Sequence, residues 1–295
     1  MLVFKSVLLV YNHKSGLKLG PKFINLIHKK LTRQFHQIET YEIKDWSGEI
    51  FEKFKNKNID LVVALGGDGT LNTCAKLILD FLPNAGLKII PAGSTNVLAR
   101  SLNLPRSLIK NINSLDKIGE WQQIKIDVGV LNDNYYFLDA VIIGYLAKVI
   151  NATGQKLKNL FGFGGYLINF LRHRKPQAEN FTMTINDKKI STTASTIIIA
   201  NTLNILGFTP RHKSDFTDGF LEVMFMAYNS FTKFLFSVWH FFFSTKKVTR
   251  LRGQKITIAP LDIFSHPIQI DGDPITKINP PYQITISPQA LKIWR

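Results

Sequence analysis

The stretch VVALGGDGTLNTCA, Val62 to Ala75, sets four apolar residues ahead of two glycines, an aspartate, a third glycine and a threonine. A helical pattern follows. Glycines permit positive φ and close backbone approach, so successive N–H groups can converge on a phosphate. A helix start adds partial positive charge. Asp68 is awkward in a pure phosphate cradle because it repels an anion. It makes sense if it holds Mg2+ through water or orients a neighbouring donor. The architectural alternative is a tight strand-to-helix turn capped by Asp68 or Thr70. No Lys-Ser/Thr follows, so this is not a Walker A loop, and it is not the G-x-G-x-x-G fingerprint.

A second stretch, PAGSTNVLAR (Pro91–Arg100), repeats the geometry after the next strand. Gly93 allows the turn, Ser94 and Thr95 offer hydroxyls, and Asn96 offers an amide near a helix start. Alone it reads as an ordinary N-cap. Two such turns on adjacent strand ends point to a phosphate site, and the polar loop Asn12–Gly16 is placed to line the same crevice. Far downstream, QIDGDP (Gln269–Pro274) sets Asp271 and Asp273 on either side of Gly272, which reads as a turn. A β-turn carrying solvated acids and a pair that includes a general base are both open at this point.

The elements that must position these residues alternate in the first part of the chain. Strands are expected at Ser6–Asn12, Ile38–Ile43, Ile59–Leu65 and Leu87–Gly93. Helices are expected over Pro21–Phe35, from about Thr70, and through TNVLARSL. Such alternation means a parallel sheet with right-handed crossovers, whose ligands bind at the carboxyl ends of the strands. After about Trp121 short strands dominate: QIKIDVGVL, YYFLDAVIIG, FTMTIND, TIIIAN, LEVMFM, KITIA, PIQIDGDP and QITISP. They predict an antiparallel sandwich, interrupted by helical GGYLINFLRHR and SFTKFLFSVWHFFFS. The expected fold is a Rossmann-like α/β domain over 1–123 and a β-sandwich domain over 124–295. The boundary falls near residues 121–125, with the last residues free to return to the first domain.

Lys and Arg number 37 against 21 Asp and Glu, a net charge of +16. That field favours an anionic partner, either nucleic acid or an acidic bilayer surface. Without zinc spacing, an RNA-binding aromatic signature or a repeat, nucleic acid rests on charge alone and is not expected as a partner. The single cysteine, Cys74, fits a reducing cytosol and a small buried thiol. The most apolar run, Phe234–Phe243, falls short of the ~20 residues of a membrane-spanning helix. MLVFKSVLLVYN reads as a strand rather than a leader. The expected location is cytoplasmic and peripheral at the membrane.

In that order the motifs resemble the lipid kinases that share the diacylglycerol kinase catalytic domain, a family that includes sphingosine and ceramide kinases. GGDGTLN (Gly66–Asn72) is similar to its nucleotide loop, PAGSTNVLAR to its second loop and NHKSG to its first. IIIANTLNILGFTPRHKSDFTDGFLEV resembles the family's segment of Asn, Gly and Pro followed by Asp-Gly and a strand. QIDGDP resembles its Asp-Gly-Glu signature. His13 stands for the usual proline, Ser94 for threonine, Val97 where aspartate is frequent, and Asp273 for glutamate.

The resemblance implies the fold common to NAD kinases and diacylglycerol kinases, and an ATP- and Mg2+-dependent transfer to a lipid hydroxyl. It implies ATP contacts at Asn12, Thr40 (ending the second strand), Gly66, Gly67, Asp68, Gly69, Thr70, Leu71, Asn72, Ser94, Thr95 and Asn96. It makes Asp273 the proton acceptor, with Asp271 as metal-network partner or alternative base and Asp68 as a third catalytic carboxylate. A separate Mg2+ site is implied at Asp215, Asp218 and Phe220. The lipid acceptor, diacylglycerol-like or sphingoid-like, comes from a membrane, and a homodimer is compatible with the family. The aromatic run and basic residues of Phe231–Arg252 suit an anionic interface and equally a core helix with a basic loop. LFGFGGYL (Leu160–Leu167) suits a mobile lid or a packing turn. NAD kinase, which also uses a GGDG loop, is the rival enzyme, and a lipid- or nucleotide-binding sensor is the non-enzymatic one.

Overall fold

Valine, leucine and isoleucine runs too short for helices, each followed by an amphipathic helix, build the first half of the protein. The computed structural model describes residues 4–13, 20–43, 48–152, 177–202, 215–228, 230, 232–233, 236, 250–261, 266–276 and 278–295. It divides into two units, Met1–Ile126 with Gln289–Arg295, and Asp127–Pro288.

In the first unit the elements run β1 (Ser6–Tyr11), α1 (Pro21–Thr32), β2 (Gln37–Glu42), α2 (Glu49–Phe54), β3 (Leu61–Gly66), α3 (Asp68–Phe81), β4 (Gly86–Pro91), α4 (Val97–Ser101) and α5 (Leu108–Asn113). The strands are parallel in the order β2-β1-β3-β4. β1, β3 and β4 are buried along nearly their whole length, as strands covered by helices on both faces must be. One face packs Val7, Leu9, Val63 and Leu65 against Ile27 and Leu31 of α1 and against Trp121. α3 covers the sheet with Leu71, Cys74 and Ile78 buried, and burial pushes the Cys74 thiol pKa up. Strand order reverses on either side of β1, so the carboxyl ends of β1 and β3 form the switch point where such sheets open a crevice.

The second unit begins inside β5 (Gln123–Leu131), and its elements are β6 (Tyr135–Phe137), β7 (Ala140–Gly144), α6 (Tyr145–Ala152), β8 (Glu179–Ile185), β9 (Lys188–Ala194), β10 (Thr196–Ala200), β11 (Leu221–Met226), β12 (Arg250–Gly253), β13 (Lys255–Pro260), β14 (Ile268–Ile270) and β15 (Asp273–Ile275). It ends inside β16 (Tyr282–Trp294), whose last residues pair in parallel with β4 of the first unit's sheet. One antiparallel sheet runs β12-β11-β10-β7-β14-β15. A second layer pairs β16, β13, β8 and β9. Alternate residues explain the sandwich. Val141, Ile143, Ile197 and Ile199 face the second layer's Phe181, Met183, Ile256 and Ile284. Ala140, Ile142, Ile198 and Ala200 lie instead with Leu146, Val149 and Ile150 of α6. Both faces of β7 and β10 are therefore covered, which is why their sequences are continuously apolar.

Three local expectations change. YYFLDAVIIG is not one strand: Leu138 and Asp139 interrupt it between β6 and β7. α6 was not foreseen. α3 starts at Asp68 rather than near Thr70. The helices expected at GGYLINFLRHR and most of SFTKFLFSVWHFFFS lie outside the described residues, as do LFGFGGYL and Lys14–Gly16 of the first loop.

Lys88 on β4 is only 3% exposed, with its Nζ 4.2 Å from the Trp121 ring centroid. Burial lowers its pKa from 10.5 to about 8. A depressed folded-state pKa means the stability from this residue is full above the unfolded pKa and is lost as pH falls toward the folded one. Lys88→Met should therefore stabilise the protein at pH 7 by roughly 1–2 kcal/mol, allowing for the lost cation–π contact. The gain should shrink as pH rises past the lowered pKa toward the ordinary one. Urea denaturation on both sides of that window would read this out, and an equal gain at every pH would show that the ammonium is already neutral or solvated.

Candidate functional site

The glycine turn sits at the switch point. β3 ends at Gly66, whose carbonyl accepts from Ala92 N at 2.8 Å, and Leu65 O accepts from Asn12 N at 3.3 Å. The carboxyl ends of β1, β3 and β4 are thus tied edge to edge. Here the glycines serve close approach rather than positive φ, which none of Gly66, Gly67, Gly69 and Gly93 adopts. A Cβ on Gly93 would meet Gly67 Cα at 2.5 Å, and one on Gly66 would meet Thr70 Oγ1 at 2.3 Å. The two loops are in backbone contact, and only glycine fits the seam.

Asp68 does not cap its own helix. Its Oδ1 accepts the backbone N–H of Val97 at 2.7 Å, the first residue of α4. The Asn96 and Leu98 amides also bond to this carboxylate. Burial raises the Asp68 pKa, while those amides and the Arg100 charge pull it back. Of the two roles open in the sequence, the geometry supplies the orienting one. Asn96, in the left-handed region at φ 50°, folds its side chain back on Gly93, accepting from Gly93 N at 2.9 Å and donating to Gly93 O at 2.7 Å. Its amide is therefore spent on closing the second loop. Thr70 and Leu71 are buried at the start of α3, and Asn72, Ser94 and Thr95 keep partial or full exposure. Thr40 is exposed in the middle of β2, opposite Leu9, and not at the strand's end.

In the second unit the Asp-Gly turn is a two-residue hairpin loop between β14 and β15. Asp271 and Gly272 have φ of 48° and 97°, the type I′ pattern that matches strand twist. Asp271 is not a solvated acid. Its Oδ1 accepts from Asp139 N at 2.9 Å and Ala140 N at 2.8 Å, and its Oδ2 from Leu138 N at 2.7 Å. Asp273, one residue past the turn, is exposed. The grip continues through residues that sequence reasoning missed. Asn201 Nδ2 donates to Leu138 O at 3.2 Å and Asp127 O at 2.9 Å, and buried Asp127 accepts from Gly219 N at 2.7 Å. Asp139 Oδ1 meets the Thr202 hydroxyl. A lone aspartate inside the buried strand IKIDVGV was the available signal for Asp127.

That chain of bonds reaches the loop expected to hold Mg2+. Asp215 Oδ1 accepts from Thr217 N at 3.0 Å and from the Thr217 hydroxyl at 2.6 Å. Asp218 Oδ1 accepts from Phe220 N at 2.9 Å, and Asp218 Oδ2 pairs with Arg252, whose guanidinium lies 4.9 Å from the Phe220 ring centroid. Carboxylates and carbonyls are the hard oxygen donors that Mg2+ takes. Asp218 and Asp215 offer such oxygens, and the Asp218 carboxylate is engaged by Arg252. Among the described residues no three His, Cys, Asp or Glu side chains converge on one point.

Residues 6–131 match the diacylglycerol kinase catalytic domain, and residues 139–295 match the YegS C-terminal NAD kinase beta sandwich-like domain. The chain belongs to the family of the YegS C-terminal domain, which spans more than half of it, and residues 6–131 form a diacylglycerol kinase catalytic domain. It therefore carries the catalytic domain of a lipid kinase. A diacylglycerol kinase of Staphylococcus saprophyticus is 27% identical over 75% of this chain and 72% of its own length. One of Staphylococcus aureus (strain Newman) is 32% identical over 56% of this chain and 51% of its own, so the match spans about half that relative. The crystal structure of a diacylglycerol kinase from Bacillus anthracis str. Sterne superposes with a TM-score of 0.78 at 20% identity, over 99% of this chain and 98% of that one. Yeast NADH kinase complexed with NADH gives 0.55 at 12% identity, covering 99% and 83%. At such identities the two structures establish a common fold.

In this lipid-kinase domain the two hairpin acids should separate cleanly. Asp271→Ala leaves three amides without acceptors and should cost about 3 kcal/mol of stability, roughly 1 kcal/mol for each. Asp271→Asn should cost about half of that, and Asp273→Ala within about 0.5 kcal/mol. Equal urea midpoints for Asp271→Ala and the natural protein would refute the grip.

Proposed function

We propose that the protein is an ATP- and Mg2+-dependent lipid kinase that moves the γ-phosphate of ATP to the hydroxyl of a diacylglycerol-like or sphingoid-like lipid. The observation that carries this reading is the hold of the Asp68 carboxylate on the start of α4. It locks two glycine loops into one surface at a sheet's switch point, where backbone amides can meet phosphates. Gly66 to Asn72, Ser94 and Thr95 line that surface, with Asn12 beside it, and Asn96 and Asp68 act as positioning residues. Thr40 contacts the nucleotide from β2.

Phosphoryl transfer asks the protein for positioning and charge neutralisation. The lipid hydroxyl oxygen attacks the γ-phosphorus, its proton passes to Asp273, and the bond to the bridging oxygen breaks so that ADP leaves with the electron pair. Asp273 is preferred to Asp271 as base because both Asp271 oxygens already accept amide hydrogens. Asp271 holds the hairpin that presents Asp273. Asp218, with Asp215 and Phe220 contributing side-chain or backbone oxygens, would hold Mg2+, which would supply positive charge to that part of the second unit. The lipid is met at an anionic membrane surface, on which the enzyme is peripheral. No helix among the described residues is long and apolar enough to cross a membrane.

The test is transfer of label from γ-labelled ATP with Mg2+ to mixed micelles of diacylglycerol, phosphatidylglycerol or a sphingoid base, with NAD+ offered in parallel. One lipid should take the label. Asp273→Asn should lower kcat by roughly 10²–10⁴ with its fold intact, and Asp68→Ala should weaken ATP use by disordering the second loop. Label in NAD+ would give the case to the rival kinase. ATP binding without transfer to anything would leave a sensor. The metal is read separately: Mg2+ should raise the melting temperature, and more so in Arg252→Gln, where Asp218 is released from its ion pair. No shift in either protein would remove Mg2+ from this loop.

A further inference from the structure

Helix α1 presents two faces of unlike kind. Ile27 and Leu31 are fully buried, and Ile24 packs beside them against the sheet. Opposite that stripe, at helical spacing of four, three and four residues, stand Lys22, Leu26, Lys29 and Arg33, all exposed, with Phe23 on the flank. Leu26 and Phe23 are 40% and 37% exposed, among the few large apolar side chains left uncovered on the described surface. Lys30 turns away to pair with Asp116, whereas Lys22, Lys29 and Arg33 have no carboxylate partner among the described residues. From Asn12 to Gln37 the sequence contains no aspartate or glutamate.

We propose that this face of α1 docks on an anionic lipid bilayer, with Leu26 and Phe23 entering the boundary between headgroups and acyl chains and Lys22, Lys29 and Arg33 meeting lipid phosphates. The inference rests on the lipid-kinase reading and adds to it the surface by which the enzyme reaches its substrate. Charge complementarity alone suits any polyanion. The apolar pair decides the partner, because a leucine set within a cationic stripe gains from entering a bilayer boundary and gains nothing from a nucleic-acid backbone. The placement is apt. α1 starts where the chain leaves β1, so its first turn, with Lys22 and Phe23, stands at the same edge of the sheet as the Gly66–Asn72 turn.

The test is co-sedimentation of the whole protein with vesicles of phosphatidylglycerol and phosphatidylcholine in equal parts, and with phosphatidylcholine alone. The natural protein should bind the anionic vesicles and not the neutral ones. Lys22→Ala/Lys29→Ala should weaken that binding roughly 25-fold, about fivefold for each cation. Phe23→Ser/Leu26→Ser should weaken it comparably without changing its salt dependence. These residues are exposed, so both variants should keep the natural melting temperature and the natural rate in detergent micelles, where no bilayer has to be found. Variants that bind vesicles like the natural protein would overturn the proposal while leaving the kinase standing. So would loss of self-association, or of DNA binding, in place of vesicle binding. Vesicle binding lost in both variants, with no lipid phosphorylated in any assay, would uphold the docking face and end the kinase reading instead.

Discussion

A carboxylate that caps another loop's helix is the constraint on which the first unit's site depends. Three amides at the start of α4 need acceptors, and Asn96, the residue at the cap position, has already turned its side chain to Gly93. Asp68 fills the need from the neighbouring strand's turn. The consequence is mechanical. Gly67 and Gly93 must touch, so neither can carry a side chain, and the two loops move as one body or not at all. The same arrangement accounts for a negative charge inside a glycine turn: the carboxylate is turned inward onto amides.

The second unit solves a different problem with the same chemistry. Asp271 is spent on Leu138, Asp139 and Ala140, and Asp127 on Gly219, so two buried or half-buried acids are satisfied by backbone donors rather than by cations. Such pairing avoids the desolvation penalty of an unpaired buried charge. It also links three segments distant in sequence: the β14–β15 hairpin, the break before β7, and the loop that precedes β11. Asn201 joins them, donating to both Leu138 and Asp127 carbonyls. A hairpin of three-residue strands would be a weak support by itself. Anchored through its turn residue, it becomes a fixed one.

How much of this was legible follows from which forces leave a mark on local sequence. Strands covered on both faces are almost continuously apolar, so β1, β3, β10 and, across its one lysine, β4 could be read directly. The Asp-Gly turn was legible because type I′ geometry demands residues that tolerate positive φ. Asn132-Asp133 and Asn186-Asp187 turn their hairpins the same way with less conspicuous residues. The break in YYFLDAVIIG was hidden because Leu138 is buried and apolar, and the reason for the break, a carboxylate well over a hundred residues downstream, leaves no local trace. α6 was hidden for a related cause. Its apolar residues continue the pattern of β7, and no cap residue marks the change. Candidate site residues were found by type at Gly66–Asn72 and Asp271–Asp273, but which carboxylates are engaged and which exposed is a property of tertiary hydrogen bonds.

The pinned turn bears on the reach of the base. A base must come within about 2.6–3.2 Å of the hydroxyl it deprotonates. With Asp273 as that base, the carboxyl stands one methylene closer to the backbone than a glutamate's would. A loose hairpin could make up the difference by swinging toward the acceptor. This one cannot swing freely, because Asp271 at the turn is bonded to three amides of the adjoining segment. A carboxyl carried on so fixed a hairpin stays where the turn puts it, and its reach is that of an aspartate.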